Sequence, residues 1–193
     1  GDQAFSVVLA AASSSDTNYN TLNPADVTIT NTDNDTAGFT ITETDTTTTE
    51  GSGTASFYIQ LNSEPTANVT MGVSSDDIGE GTVSPSSLTL TPANWNAVSH
   101  IVTVTGINDD LDDGDQAFSV VLAAATSSDT NYNTLNPADV TITNTDNDTA
   151  GFTITETDTT TGEGGATGSF YVQLNTEPTA NVTIGVSSDD LGE

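Results

Sequence analysis

The sequence predicts an all-β fold of tandem immunoglobulin-like, seven-stranded antiparallel sandwiches, and three observations carry that prediction. Apolar residues alternate with polar ones at a period of two, and 3.6-residue periodicity is hard to find. Clusters of Gly, Pro, Asn, Asp and Ser punctuate the alternating runs. The chain also repeats itself: GDQAFSVVLA at 1–10 recurs at 114–123, an offset of 113 residues.

The strands follow in order along one unit. Phe39 and Ile41 begin the first in GFTITE. In TASFYIQLN, Phe57, Ile59 and Leu61 share one face, while Ser56, Tyr58 and Gln60 share the other. Val69, Met71 and Val73 alternate in the third run, and Leu88 and Leu90 in the fourth. His100, Val102 and Val104 share a face in the fifth, Phe118, Val120 and Leu122 in the sixth, and Val140 and Ile142 in the seventh. Abundant Thr suits the exposed strand faces. Seven short strands with one apolar face each make a two-sheet sandwich. Tyr132 and its counterpart Tyr19 are expected to cap a sheet edge or corner, and Trp95, the only Trp, to plug one end.

Residues 1–80 overlay 114–193 without a gap and differ at nine positions. This divides the chain into the C-terminal part of one repeat (1–36), a complete 113-residue repeat (37–149) and the N-terminal part of the next (150–193). The start at Gly1-Asp2-Gln3, without a Met, reads as a piece of something longer. Near-identical neighbours suit a long extracellular array and are a poor design for an enzyme, so no catalytic activity is expected. His100 shares its parity with Val102 and Val104, which favours a packing role over general-base chemistry.

Composition narrows the function further. The chain holds 28 Asp plus Glu, no Lys, no Arg, one His and no Cys, for a formal net charge of -28. Without cationic side chains it is not expected to bind nucleic acid or anionic lipid surfaces, and it holds no P-loop Lys or thiol nucleophile. No run approaches the length of a membrane-spanning helix, so no membrane insertion is expected. The carboxylates have no internal side-chain cation, so each must be solvated, hydrogen-bonded or bound to a metal ion.

The acids are clustered. Asp109, Asp110, Asp112, Asp113 and Asp115 crowd the segment after the strand that ends at Gly106. Asn144, Asp146 and Asp148 alternate just past the last strand, and Glu43 and Glu50 flank the Thr-rich stretch after the first. The topology is expected to bring the 107–115 loop, the end of the unit and the Glu50 turn to one end of the sandwich. Hard oxygen ligands in flexible loops favour Ca2+, which takes six to eight oxygens. The segment lacks the EF-hand pattern, since Leu111 stands where an oxygen ligand is needed.

These residues resemble the Calx-β family, the calcium-binding sandwich of sodium–calcium exchangers and many bacterial surface adhesins. The resemblance is carried by Thr49-Glu50-Gly51-Ser52-Gly53, by Asn108-Asp109-Asp110-Leu111-Asp112-Asp113-Gly114-Asp115-Gln116-Ala117-Phe118, and by Asp146-Asn147-Asp148-Thr149-Ala150-Gly151. It implies a Calx-β-type sandwich and makes Glu50, Asp109, Asp110, Asp113, Asp146 and Asp148 calcium ligands, with Asp115 in the same acidic run. Glu163, Asp33 and Asp35 are their counterparts in the partial repeats. Gln116 stands where the family often has Glu, Asn147 replaces a middle Asp, and GTVSPSS occupies the region of a mid-domain Asp ligand. These departures imply fewer or weaker ions than in the exchanger domain.

The function expected from this reading is a structural repeat of a calcium-stiffened extracellular or cell-surface fibre or adhesin stalk. Its partners would be neighbouring repeats, with lateral self-assembly into filaments through exposed edge strands. The alternative is an adhesive module that recognises glycan or ice through Thr-rich β faces. Asn34, Asn68, Asn147 and Asn181 head N-glycosylation sequons, and the run Thr46-Thr47-Thr48-Thr49 reads as either O-glycosylated or simply exposed.

Overall fold

A computed structural model describes residues 1–51 and 53–189. Among these residues there is no helix, and hence none long and apolar enough to cross a membrane. Fourteen strand segments form in the described residues: β1 (Gln3–Val7), β2 (Val27–Asn31), β3 (Phe39–Asp45), β4 (Thr47–Thr49), β5 (Thr54–Leu61), β6 (Val69–Ser75), β7 (Gly81–Ser84), β8 (Ser87–Leu90), β9 (Ile101–Gly106), β10 (Gln116–Leu122), β11 (Thr126–Ser127), β12 (Val140–Thr145), β13 (Phe152–Asp158) and β14 (Ser169–Leu174). All seven runs expected in the 37–149 segment are strands. The short segments β4, β7 and β11 add three more, because pairing extends into Thr- and Ser-rich stretches that carry no apolar alternation of their own.

Within 37–149 the strands make two sheets. One runs β3-β5-β9-β7, antiparallel throughout. The other runs β4-β12-β10-β6, with β8 and β11 also on β6. The chain crosses from the first sheet to the second between Asp45 and Thr47. Register is irregular between Glu43 and Asp45, and the Asp45 carboxylate accepts the Thr47 N–H at 3.0 Å, which turns the backbone at the crossing. β4 then pairs in parallel with β12, Thr47 with Thr143, Thr48 with Asn144 and Thr49 with Thr145.

Both sheets contribute to one buried cluster. Phe57, Ile59, Leu61, Val102 and Val104 come from the first sheet, and Val69, Met71, Leu90, Phe118, Val120, Leu122, Val140 and Ile142 from the second. The period-two pattern expected from the sequence is what places them there, since alternate side chains along a strand point to one face. Trp95 packs partly buried against this cluster. His100 is 7% exposed, with Nε2 3.0 Å from the Asn94 carbonyl oxygen, a packed and bonded position.

Tyr132 closes the end of the unit that faces residues 33–37. Its ring is buried and meets Phe39 edge-on, with centroids 6.1 Å apart. Its hydroxyl accepts the Ser63 N–H at 3.0 Å and donates to the Ser63 carbonyl at 2.6 Å. Beside it, buried Asp129 accepts backbone N–H groups of Thr66 and Asn131 at 2.7 and 2.9 Å, and these bonds hold its carboxyl below the usual range. Tyr19, its counterpart's equal in sequence, is 62% exposed.

Phe57→Ala should lower the unfolding free energy by about 3–5 kcal/mol, because it empties a fully enclosed site between the sheets. Ile101→Ala, at a half-exposed position on the neighbouring strand β9, should change it by about 0.5 kcal/mol or less. Urea unfolding of both variants checks the inward and outward assignment; equal losses would contradict it.

Candidate metal centre

Pairing directions decide where the acids meet. β4 and β12 run parallel, so both leave the sheet at the same end, β4 into Glu50 and β12 into Asp146 and Asp148. β10 runs antiparallel to β12, which places Asp113 and Asp115, just before β10, at that end too. In the other sheet β9 finishes there at Gly106, leading to Asp109, and β7 starts opposite it at Gly81, just after Glu80.

Among the described residues, two groups of three carboxylates result. Glu50, Asp146 and Asp148 place one oxygen each within 4.8 Å of one another, and so do Glu80, Asp109 and Asp113. Every donor is a hard carboxylate oxygen, with no His or Cys in either group. Glu50 is 6% exposed. The backbone after it turns with φ of +86° at Gly51, a left-handed conformation that glycine adopts without strain.

The loops are held by their own acids. Asp146 accepts N–H groups from Gly114 and Asp148, both at 2.7 Å, while its own N–H donates to Asp115 at 3.1 Å. The Asn147 N–H donates to Glu50 at 3.3 Å, and the Asn147 side chain donates to Asn108 at 2.9 Å. Asp109 accepts the Leu111 N–H at 2.8 Å. One oxygen remains unserved: Asp148 Oδ2 is buried and has no hydrogen-bond partner. A buried carboxylate oxygen without donor or cation is unfavourable, and this one lies among like charges.

The electrostatics follow from this arrangement. Burial pushes the Glu50 carboxyl above its ordinary range; the Asn147 N–H pulls it back, and the charges of Asp109, Asp146 and Asp148 push it further up. Burial also raises Asp148, reinforced by Asp146, Asp110, Asp109 and Asp112. Asp146 moves the other way, because the Asp148 and Gly114 N–H groups stabilise its charged form. A hard divalent cation would answer the orphaned Asp148 oxygen and the two raised carboxyls together, so the donor set fits Ca2+ or a similar ion.

Among the residues expected from the sequence, Glu50, Asp109, Asp113, Asp146 and Asp148 fall into the two groups. Asp115 stands beside Asp146 without joining either. Asp110 offers its carbonyl to the Glu177 N–H at 2.7 Å. Asp33 engages the N-terminal ammonium and the Asp35 N–H, and Glu163 lies in an exposed turn; none of the three belongs to a group among the described residues. Glu80 was missed from sequence. It stands directly before GTVSPSS, and the available signal was its place between Gly79 and Gly81 together with its recurrence as Glu193.

A carboxyl whose pKa is raised in the folded state binds its proton preferentially there. That stabilisation is fully present below the ordinary carboxylate range and is lost as pH rises through the raised values of Glu50 and Asp148. In chelator, the urea midpoint should therefore be higher at about pH 5 than at about pH 7, and Glu50→Gln should flatten the difference. A wild-type midpoint that falls on this acidification contradicts the assigned environment.

No family model and no curated protein sequence matches the chain. Among solved structures, the chain is similar to domains 4 and 5 of the S-layer protein SbsC, at 17% identity and a TM-score of 0.32, over 75% of each chain.

Proposed function

We propose that the chain is a stretch of a calcium-stiffened structural array of Calx-β-type sandwiches, acting as an extracellular fibre or adhesin stalk. The observation that carries this reading is where the carboxylates meet. The acidic end of the 37–149 unit is also the end from which the next segment departs. There the Ala150 N–H donates to Asp112 at 2.7 Å, and the Glu177 N–H donates to the Asp110 carbonyl at 2.7 Å. A cation held by Glu50, Asp146 and Asp148, or by Glu80, Asp109 and Asp113, would tie the loops at this junction to one another. Strand order supports the immunoglobulin-like assignment: a β3-β5-β9-β7 sheet faces one ordered β12-β10-β6, the sequence of neighbours found in that architecture.

Mechanically, Ca2+ would supply positive charge where the chain has none and accept six to eight oxygens in irregular geometry. The protein's part is to present the oxygens on strand ends and to restrict the Asp148-Thr149-Ala150-Gly151 connection. Each unit would then be held against the next, and the array would behave as a rod.

A second reading is favoured by one feature of the outer surface. Thr82, Thr105 and Thr54 stand side by side across β7, β9 and β5, and Thr89, Thr70 and Thr126 do so across β8, β6 and β11. Such rows would suit an adhesive face that recognises glycan or ice through regularly spaced hydroxyls.

Ca2+ at a hundredfold excess over its dissociation constant should stabilise the chain by about 2.7 kcal/mol per site relative to chelator, with Mg2+ weaker. Glu50→Gln combined with Asp148→Asn should remove most of the gain. An unchanged melting temperature in wild type sinks the calcium claim. Small-angle scattering of a longer array should show a rod with Ca2+ and a flexible chain without it. If glycan or ice binding by one unit persists in chelator while the scattering profile does not change, the adhesive reading replaces the spacer reading.

A further inference from the structure

Thr48 and Asn144 face each other across the parallel β4–β12 pair, and each is 1% exposed. Thr48 Oγ1 donates to Asn144 Oδ1 at 2.9 Å. The amide orientation is settled by its other side: Asn144 Nδ2 donates to the Ile107 carbonyl at 2.9 Å and to Glu80 Oε2 at 3.2 Å. Gly106 forms the wall of the site, where a Cβ would lie 2.5 Å from Asn144 Oδ1 and 2.6 Å from the Thr49 carbonyl oxygen. A buried hydroxyl and a buried carboxamide are thus packed together, with a part-exposed carboxylate against the amide nitrogen. The same three residue types recur at Thr161, Asn31 and Glu193 in the partial repeats.

We propose that Thr48 and Asn144 react with each other in the folded protein, forming an ester that joins the first and last strands of the second sheet. Thr48 Oγ1 adds to Asn144 Cγ, and its proton passes to Oδ1, to which it is already hydrogen-bonded. That proton then shifts from Oδ1 to Nδ2, and the Glu80 carboxylate, already hydrogen-bonded to Nδ2, stabilises the positive charge that develops on the departing nitrogen. The C–N bond breaks, ammonia leaves, the carbonyl re-forms, and Glu80 ends in its starting state. The products are one Thr–Asp ester and one ammonia, with no oxidant, metal or co-reactant consumed.

Three features favour this step. Pairing holds the Thr48 hydroxyl 2.9 Å from the Asn144 carbonyl oxygen, which replaces an improbable encounter by an intramolecular one. Enclosure excludes the water that would hydrolyse either the adduct or the ester. Glu80 places negative charge beside the leaving nitrogen, where the positive charge develops. Because β4 and β12 run parallel, tension along an array shears this pair, and the ester would carry that tension through a covalent bond. The reaction consumes no cation, although Glu80 belongs to both the ester site and the second carboxylate group.

The test is the intact mass of the purified, folded chain. It should be lower than the sequence mass by one ammonia. Digestion at acidic residues should yield a branched product containing both Thr48 and Asn144, which hydroxylamine separates. Thr48→Val should show its full sequence mass, Thr48→Ser should still cross-link, and Glu80→Gln, which removes the charge beside the leaving nitrogen, should slow the reaction on the order of a hundredfold. A wild-type chain at full mass, folded and aged, overturns the proposal. So does an ammonia loss that survives in Thr48→Val, because Asn144 would then have closed on the Thr145 backbone nitrogen. Should Thr48→Val fail to fold, the presence or absence of the branched wild-type product decides the matter.

Discussion

The parallel pairing of β4 with β12 is the constraint on which the rest of the unit depends. It requires the chain to leave the first sheet at Asp45, and it brings the opening and closing segments of 37–149 into contact. Parallel direction means that both strands point their following residues to one end. Glu50 therefore meets Asp146 and Asp148, although about a hundred residues of chain lie between them. An antiparallel pairing of the same two strands would send these acids to opposite ends.

The acidic end and the hydrophobic middle obey opposite rules. Between the sheets, Phe57, Val104, Val120 and Ile142 need only be apolar and of the right volume, and the pattern tolerates changes such as Ile59 against Val172 in the next repeat. At the loop end, like charges are held close by backbone N–H groups that fix where each carboxylate points. Those donors satisfy Asp146 but leave Asp148 Oδ2 without a partner. The imbalance has a physical origin: a chain with no Lys or Arg cannot offset a buried carboxylate from within.

Just below these loops the second sheet closes on the Thr48–Asn144–Glu80 group, which shares Glu80 with the second cluster of carboxylates. Polar side chains at this depth are retained only when each finds partners. Asn144 does so with all of its hydrogen-bonding atoms engaged, on Thr48, Glu80 and Ile107. The loop cluster and the buried Thr48–Asn144 pair are thus two layers of one end of the molecule, joined by Glu80.

Period-two alternation, turn residues and the 113-residue repeat were enough to read the seven main strands and their inward faces from sequence, because burial of alternate side chains is a local rule. The short strands β4, β7 and β11 were not legible, since Thr, Ser and Gly show no apolar alternation. In Thr46-Thr47-Thr48-Thr49 four identical residues hide the fact that Thr48 is buried while Thr47 and Thr49 are exposed. Glu80 escaped for a related reason: its place between glycines marks a turn, and only the β7–β9 pairing makes it the neighbour of Asp109 and Asp113. Composition and periodicity determined an all-β chain whose acids have no Lys or Arg to pair with. Which carboxylates meet, which oxygen is left unpartnered and which threonine faces Asn144 were decided by strand direction and register, which only the folded sheets establish.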